Sequence, residues 1–296
     1  MHNLHQAAMN SIWYAGDLDY FESGSEFRIL SVHKDVINLV SDKHSRLLIV
    51  TVEGPVKGPS TIGLAEKDFL HLVSLISETD CFRLEKDMLN ISGNSNTISV
   101  NMYFGEKISF NVADYAKTEM AFSYESYLFY YENMKSWPSP GASAVLLNLP
   151  GGEDYFRNEL SVNYPQLVQS ILKPDEEEFL NRCRKIIGMG RGLTPTGDDL
   201  IHGTLVTLRY FRPSIKFENR TIEELLNLCN NTTLHGRHMI DLALHGLTLQ
   251  PVIELLKVIE AVHEPGYNLH RLLDVGSSTG YDLAVAVLYS ASQIGA

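Results

Sequence analysis

Cysteine is scarce in this chain, and so is positive charge. Cys81, Cys183 and Cys229 are odd in number and far apart among 296 residues. That argues against a disulfide framework and for a reducing compartment, so the expected location is cytoplasmic. Lys and Arg number 24 against 36 Asp and Glu, a formal net charge of -12. Such a balance supplies no basic face for a broad grip on nucleic acid. No apolar run approaches the roughly 20 residues that span a bilayer. The first residues, MHNLHQAAMNSIW, have no basic region leading into an apolar core, so no signal peptide is expected. Several catalytic signatures are missing as well. There is no Gly-Lys-Ser/Thr P-loop, no Gly-x-Ser-x-Gly elbow, and no strand ahead of the glycine-rich segment as a dinucleotide fingerprint requires. ATP and NAD chemistry are therefore unsupported, and no cofactor is expected.

What the chain does have is the run GMGRGLTPTGDDLIHG from Gly188 to Gly203, followed by an apolar stretch to Phe211. Glycine permits positive φ and close backbone approach, and Pro195 pushes Thr194 into an extended conformation. Thr196 is then expected to cap a helix starting at Gly197, whose free N–H groups would suit an anion. A weaker copy, Gly276-Ser277-Ser278-Thr279-Gly280-Tyr281-Asp282-Leu283, also leads into an apolar segment. In both, the threonine and the acid three residues later fit a capping box. Helix initiation alone is the plain explanation of either copy. The two together, with Asp198, Arg191 and the extra glycines, point to a shared ligand site at the start of two buried helices.

The hydrophobic share, 44%, suits a real core. The expected architecture is α+β, with a β-rich barrel or sandwich over residues 1–140 and a mainly helical domain over 141–296. Strands are expected at Phe27–Val32, Arg46–Val52, Met88–Ser92, Thr97–Tyr103 and Lys107–Val112, with turns at Gly93-Asn94 and Gly105-Glu106. One helix, Glu66–Ser77, interrupts them. Trp137-Pro138-Ser139-Pro140-Gly141 reads as a linker or change of direction. Helices are then expected at Asp175–Ile187, where acids fill the first turn and Gly188 stops the last, and at Thr221–Asn230, Gly236–His245, Pro251–Val262 and from 281 onward.

Several residues are candidates for chemistry. Arg191 could fork onto a carboxylate or phosphate. Asp198 and Asp199 project about 100° apart on a helix, which makes them a poor matched acid–base pair. One would cap the helix and the other would face the pocket. A pocket carboxylate could accept hydrogen bonds from an amide or carbamoyl NH₂ group, or bind a divalent cation with water. His235, His238, Asp241 and His245 fall near one helix face, where a solvated polar face is the favoured reading over a metal site. His202 could border the pocket or be structural. The cysteines read as packing residues.

The Gly188–Asp199 stretch resembles a bacterial family associated with the AllH subunit of oxamate carbamoyltransferase. Its hallmark is Gly-x-Gly-x-Gly-Leu-Thr-Pro-Ser/Thr-Gly-Asp-Asp, matched by Gly188, Gly190, Gly192, Leu193, Thr194, Pro195, Thr196, Gly197, Asp198 and Asp199. The resemblance extends to Thr232-Thr233, Ala243, Gly246 and Gly276–Asp282, and more loosely to Gly58-Pro59-Ser60. Two positions depart from it: Ser277 stands where a histidine is expected, and His235-Gly236 where a serine is. The resemblance implies a subunit of a hetero-oligomeric carbamoyltransferase of purine and allantoin degradation. Oxalurate and phosphate would be interconverted with oxamate and carbamoyl phosphate. Asp198, Asp199 and Arg191 would then be catalytic. Gly190, Gly192, Thr194, Thr196, Gly197, Ser277, Ser278, Thr279, Gly280 and Asp282 would bind an anionic metabolite such as carbamoyl phosphate or oxamate, with other protein subunits as partners. Two alternatives are a non-catalytic anion-binding or assembly subunit, and a metal-dependent hydrolase using Asp198, Asp199 and Asp282.

Overall fold

Alternating apolar and polar residues build the first part of the chain. The structure, a computed structural model, describes residues 5–41, 46–54, 56–93, 96–116, 122–137, 141–149, 156–260 and 269–295. Among the described residues nine strands run in chain order: β1 His5–Ala15, β2 Ser25–Val32, β3 Val36–Ser41, β4 Leu47–Val52, β5 Thr61–Leu64, β6 Cys81–Glu85, β7 Met88–Ser92, β8 Asn96–Asn101 and β9 Glu106–Ile108. The order β5-β4-β3-β2-β6-β7-β8-β1 closes on itself because β1 also pairs with β5. This is an eight-strand barrel with β9 added beside β1, the barrel alternative of the sequence reading. Closure removes the exposed edges that an open sheet would leave. The first half of β1 runs parallel to β8, and Ser11–Tyr14 pairs antiparallel with β5 across a bulge between Ser11 and Trp13. Phe27, Leu39, Val50, Ile62, Phe82 and Val100, all buried, share one face of the sheet. Helix α1, Glu66–Leu75, packs on β4 through its buried face, Phe69 and Leu72.

By packing, the chain divides into two units, Met1–Phe110 and Asn111–Ala296. The second is helical: α2 Tyr124–Lys135, α3 Phe156–Leu172, α4 Glu176–Ile186, α5 Thr196–Phe211, α6 Asn219–Leu228, α7 Leu234–Leu244, α8 Gln250–Glu260, α9 His270–Leu273 and α10 Thr279–Gly295. Asp175 caps α4 by accepting the Glu178 N–H at 3.0 Å, and Arg184 and Lys185 occupy the last turn, where the helix dipole favours cations. The linker at 138–140, the turn residue Asn94 and the end of the expected helix at 261–262 lie outside the described residues.

Helices α5 and α10 form the centre of this unit, buried on nearly every side. Their contact depends on a small residue. A Cβ placed at Gly203 would meet the Ala286 Cβ at 2.5 Å, so glycine is what lets the two helices touch. Around that contact sits a buried hydroxyl group of residues: the Tyr164 hydroxyl lies 2.7 Å from Thr204 Oγ1 and 3.3 Å from Ser290 Oγ. We expect Gly203→Ala to destabilise the protein by about 1–3 kcal/mol, the usual range for overpacking a close contact. Thermal unfolding measures it, and an unchanged midpoint would mean that the pair slides apart freely.

Candidate functional site

The two Thr-Gly segments are built on one backbone plan. After α4, the Met189 N–H donates to Ile186 O at 3.0 Å and the Gly197 N–H to Met189 O at 2.8 Å. After α9, the Val275 N–H donates to Leu272 O at 3.0 Å and the Gly280 N–H to Val275 O at 3.0 Å. A Cβ on Gly197 would overlap the Ile186 carbonyl oxygen, and one on Gly280 the Leu272 carbonyl oxygen. Both glycines are thus required by backbone crossing over backbone. The first loop has three more residues between its two contacts (Met189 to Gly197 against Val275 to Gly280). It uses left-handed glycines at Gly188, Gly190 and Gly192, with φ of 73°, 127° and 95°.

Helix initiation differs from the capping-box expectation. Pro195, not Thr196, is the N-cap of α5, and no side chain caps it. Thr196 and Thr279 are already helical. Three N–H groups near the start of α5 already have acceptors. Asp198 and Asp199 donate to Pro195 O at 2.9 and 3.1 Å, and Gly197 to Met189 O. In the second copy Asp282 donates to Ser278 O at 2.9 Å. What the threonines do instead is join the copies: Thr194 Oγ1 and Thr279 Oγ1 lie 2.5 Å apart, 85 residues apart in sequence.

Three carboxyl groups lie behind this junction, and none has exposed surface. Asp198 Oδ1 accepts the Gly188 N–H at 2.8 Å, and its Oδ2 accepts the Thr232 hydroxyl. Gly236 is small for this reason, since a Cβ there would overlap Asp198 Oδ2. Asp282 Oδ1 accepts the Ser143 hydroxyl. Asp199 is different. Both of its oxygens are buried without a hydrogen bond. Burial, then the charges of Asp282 and Asp198, push its pKa well above the ordinary carboxylate value. The hydroxyls of Thr194 and Thr279 offset part of that rise; one of the pair donates to the other, and the proton of the second is left to point at Asp199. Burial also raises Asp198, against its bonds from Thr232 and Gly188. The division of labour suggested by the sequence is therefore recast. Neither aspartate caps α5, Asp198 ties the glycine loop to the Thr232 segment, and Asp199 has open valences.

The other motif residues spread outward. Arg191, Gly192 and Ser277 are exposed, while Gly190, Thr194, Ser278 and Thr279 are half-buried. Leu193, 59% exposed, stands beside Arg191 on the same loop. Ser143 was not legible as a partner in the sequence, lying 139 residues from Asp282. Thr232 carried a signal only through the family pattern.

The histidine-bearing helix α7 is not a solvated polar face. His238 and Asp241 are buried, because this side of α7 packs on α5. His245 Nδ1 lies 3.8 Å from Asp241 Oδ1. Among the described residues no group of three or more His, Cys, Asp or Glu is arranged to hold a metal ion. His202 is structural: Nδ1 bonds Met239 O at 2.7 Å and Nε2 bonds Thr248 Oγ1 at 2.8 Å. Full burial lowers its pKa to about 4 from 6.5. A histidine depressed in this way stabilises the fold above its unfolded pKa and loses that contribution as pH falls through the window from 6.5 to 4. We expect an acid loss on the order of 3 kcal/mol across that window. It should be absent from His202→Gln, whose stability should fall less steeply from pH 6.5 to 4 in parallel melts.

Residues 186–291 match the family model described as oxamate carbamoyltransferase subunit AllH. The matched segment begins at the Ile186 carbonyl that crosses Gly197 and runs through most of α10, so it includes both Thr-Gly segments and the Thr232 tie. The resemblance read from the motif is borne out over that stretch. No curated protein and no solved structure matches the chain. No helix among the described residues is long and apolar enough to cross a membrane.

Proposed function

We propose that this chain is a subunit of a carbamoyltransferase of the oxamate type, acting with other protein subunits in the cytoplasm. The observation that carries the reading is Asp199: a buried carboxyl with two unbonded oxygens, placed where two equivalent loops meet. A carbamoyl group presents one carbonyl acceptor and N–H donors side by side. A protonated carboxyl presents one donor and one acceptor in the same spacing. The two form a paired contact that polarises the carbonyl oxygen, the kind of electrostatic help that carbonyl transfer needs. In the proposed reaction the C–N bond of oxalurate breaks and a C–O bond to phosphate forms, while a proton moves from phosphate to the oxamate nitrogen. Arg191, exposed on the longer loop, suits the carboxylate or phosphate of the reactants. Asp198, Thr196, Gly190, Gly197 and Gly280 hold the two loops in register. Ser277, Ser278 and Asp282 complete the second side.

The complete burial of Asp198, Asp199 and Asp282 favours a second reading, in which the subunit only assembles the complex and the carboxyl cluster is architecture. Reconstitution separates the two. Oxalurate phosphorolysis is assayed with candidate partner subunits and the wild-type chain, Arg191→Ala or Asp199→Asn. The first reading expects a large loss of activity with the assembly intact. Full activity with both variants, in an assembly that still requires the chain, would establish the second.

A further inference from the structure

We infer that a second small-molecule site lies at the opposite end of α5, and that it takes an organic anion with an apolar body. A cavity of about 210 Å³ opens there among α5, α6, α7 and the segment before α6. That is room for roughly seven waters at about 30 Å³ each, the scale of a small aromatic acid. Its walls include Leu205, Phe217, Ile222 and Leu244. Phe217 is held in place by stacking on Phe179, with ring centroids 4.9 Å apart. The polar lining is cationic: Arg209, half-buried in the last turn of α5, and Lys216, exposed on the loop that follows. Neither forms a hydrogen bond or ion pair among the described residues, and no carboxylate lines the cavity. A cation at a helix C-terminus is favoured by the dipole. The dipole does not account for a second cation facing the same apolar hollow. Apolar walls with a few convergent polar groups are the usual form of a small-ligand site. A guanidinium with no acid partner selects a carboxylate in its fork. Ten residues of helix, about 15 Å, separate Arg209 from Asp199, so this is not an extension of the carboxyl cluster. The inference stands whether or not the chain takes part in carbamoyl transfer.

Benzoate is the probe, with benzyl alcohol and benzylamine as neutral and cationic controls of similar size. Calorimetry on the purified full chain should show one benzoate per chain, with a dissociation constant at or below about 1 mM. Benzyl alcohol should bind at least about tenfold more weakly, and benzylamine should not bind. Arg209→Gln should weaken benzoate about tenfold. Ala243→Met, which fills the cavity from α7, should abolish binding, and circular dichroism checks that each variant is folded. If Ala243→Met does not fold, the Arg209→Gln comparison alone decides. The inference is overturned if benzoate does not bind, as it would not if another segment of chain or a partner fills the hollow. It is equally overturned if benzyl alcohol matches benzoate, or if folded Arg209→Gln binds benzoate as the wild type does.

Discussion

Replacing Gly197 by alanine should destabilise the helical unit by at least about 3 kcal/mol, the upper end of overpacking effects. The reason is not helix propensity, which would favour alanine by about 1 kcal/mol. The new Cβ would stand inside the Ile186 carbonyl oxygen. That oxygen belongs to the backbone at the end of α4, and no rotamer can move it aside. Relief requires lifting the start of α5 off the end of α4. That would break the Gly197 N–H bond to Met189 O and the Asp198 bond to the Gly188 N–H. Gly280→Ala should behave alike, since its Cβ would overlap the Leu272 carbonyl oxygen. For a unit of this size the midpoint should fall by roughly 6–12 °C. Gly192→Ala is the control at the loop tip. Its Cβ would meet nothing within 4 Å, leaving only the strain of a left-handed alanine, about 1–2 kcal/mol. A loss below about 1 kcal/mol in both Gly197→Ala and Gly280→Ala would show that the crossing is loose.

Asp199→Asn should reduce carbamoyl transfer in the reconstituted assembly by about a hundredfold or more, the scale of a lost polarising or proton-donating group, while leaving the protein as stable as before or more so. Asparagine has the same shape but no acidic proton, and it carries no charge into the buried site. The pH dependence distinguishes this from a simple packing effect. A carboxyl whose folded pKa is raised binds its proton more tightly when folded. It therefore supports the fold at low pH and loses that support as pH rises from the unfolded value of about 3.9. The wild type should lose stability over that rise and Asp199→Asn should not, so the variant's advantage should grow with pH. Asp198→Asn should act the other way. Its oxygens are already engaged by Gly188 and Thr232, so it should cost about 1–3 kcal/mol and affect turnover mainly through the folded fraction. Comparable stability loss in both variants, with full activity per folded molecule, would make the aspartate pair helix architecture only.

Much of the fold was readable locally. Strand β7, Met88–Ser92, coincides with its expectation, because its apolar and polar residues alternate between two turns. Helix α4 matches within a residue at each end, because acids, cations and Gly188 mark both ends. Strand β1 escaped notice although it has 11 residues. Its partners β5, β8 and β9 lie far along the chain, and its mixed residues gain their places from that pairing. Helix α3 was hidden by Pro165 inside it, and α2 by aromatic residues that also suit strands. Strands β3, β5 and β6 went unread for the reason that hid β1: short runs acquire their identity from neighbours in the barrel.

By itself the sequence determined the order of β-rich and helical parts, the two Thr-Gly segments, and the buried helices behind them. These follow from periodicity, glycine and charge, which act within a few residues. Only the tertiary structure decided what each acid does. Asp198 meets a threonine 34 residues away, and Asp282 a serine 139 residues away. The Thr194 and Thr279 hydroxyls meet across the two copies, beside the buried Asp199 carboxyl. A capping box and a buried carboxyl cluster are written with the same residues. They differ in whether the nearest donor is on the same turn of helix or on a distant segment, and only chain packing brings the distant one within reach.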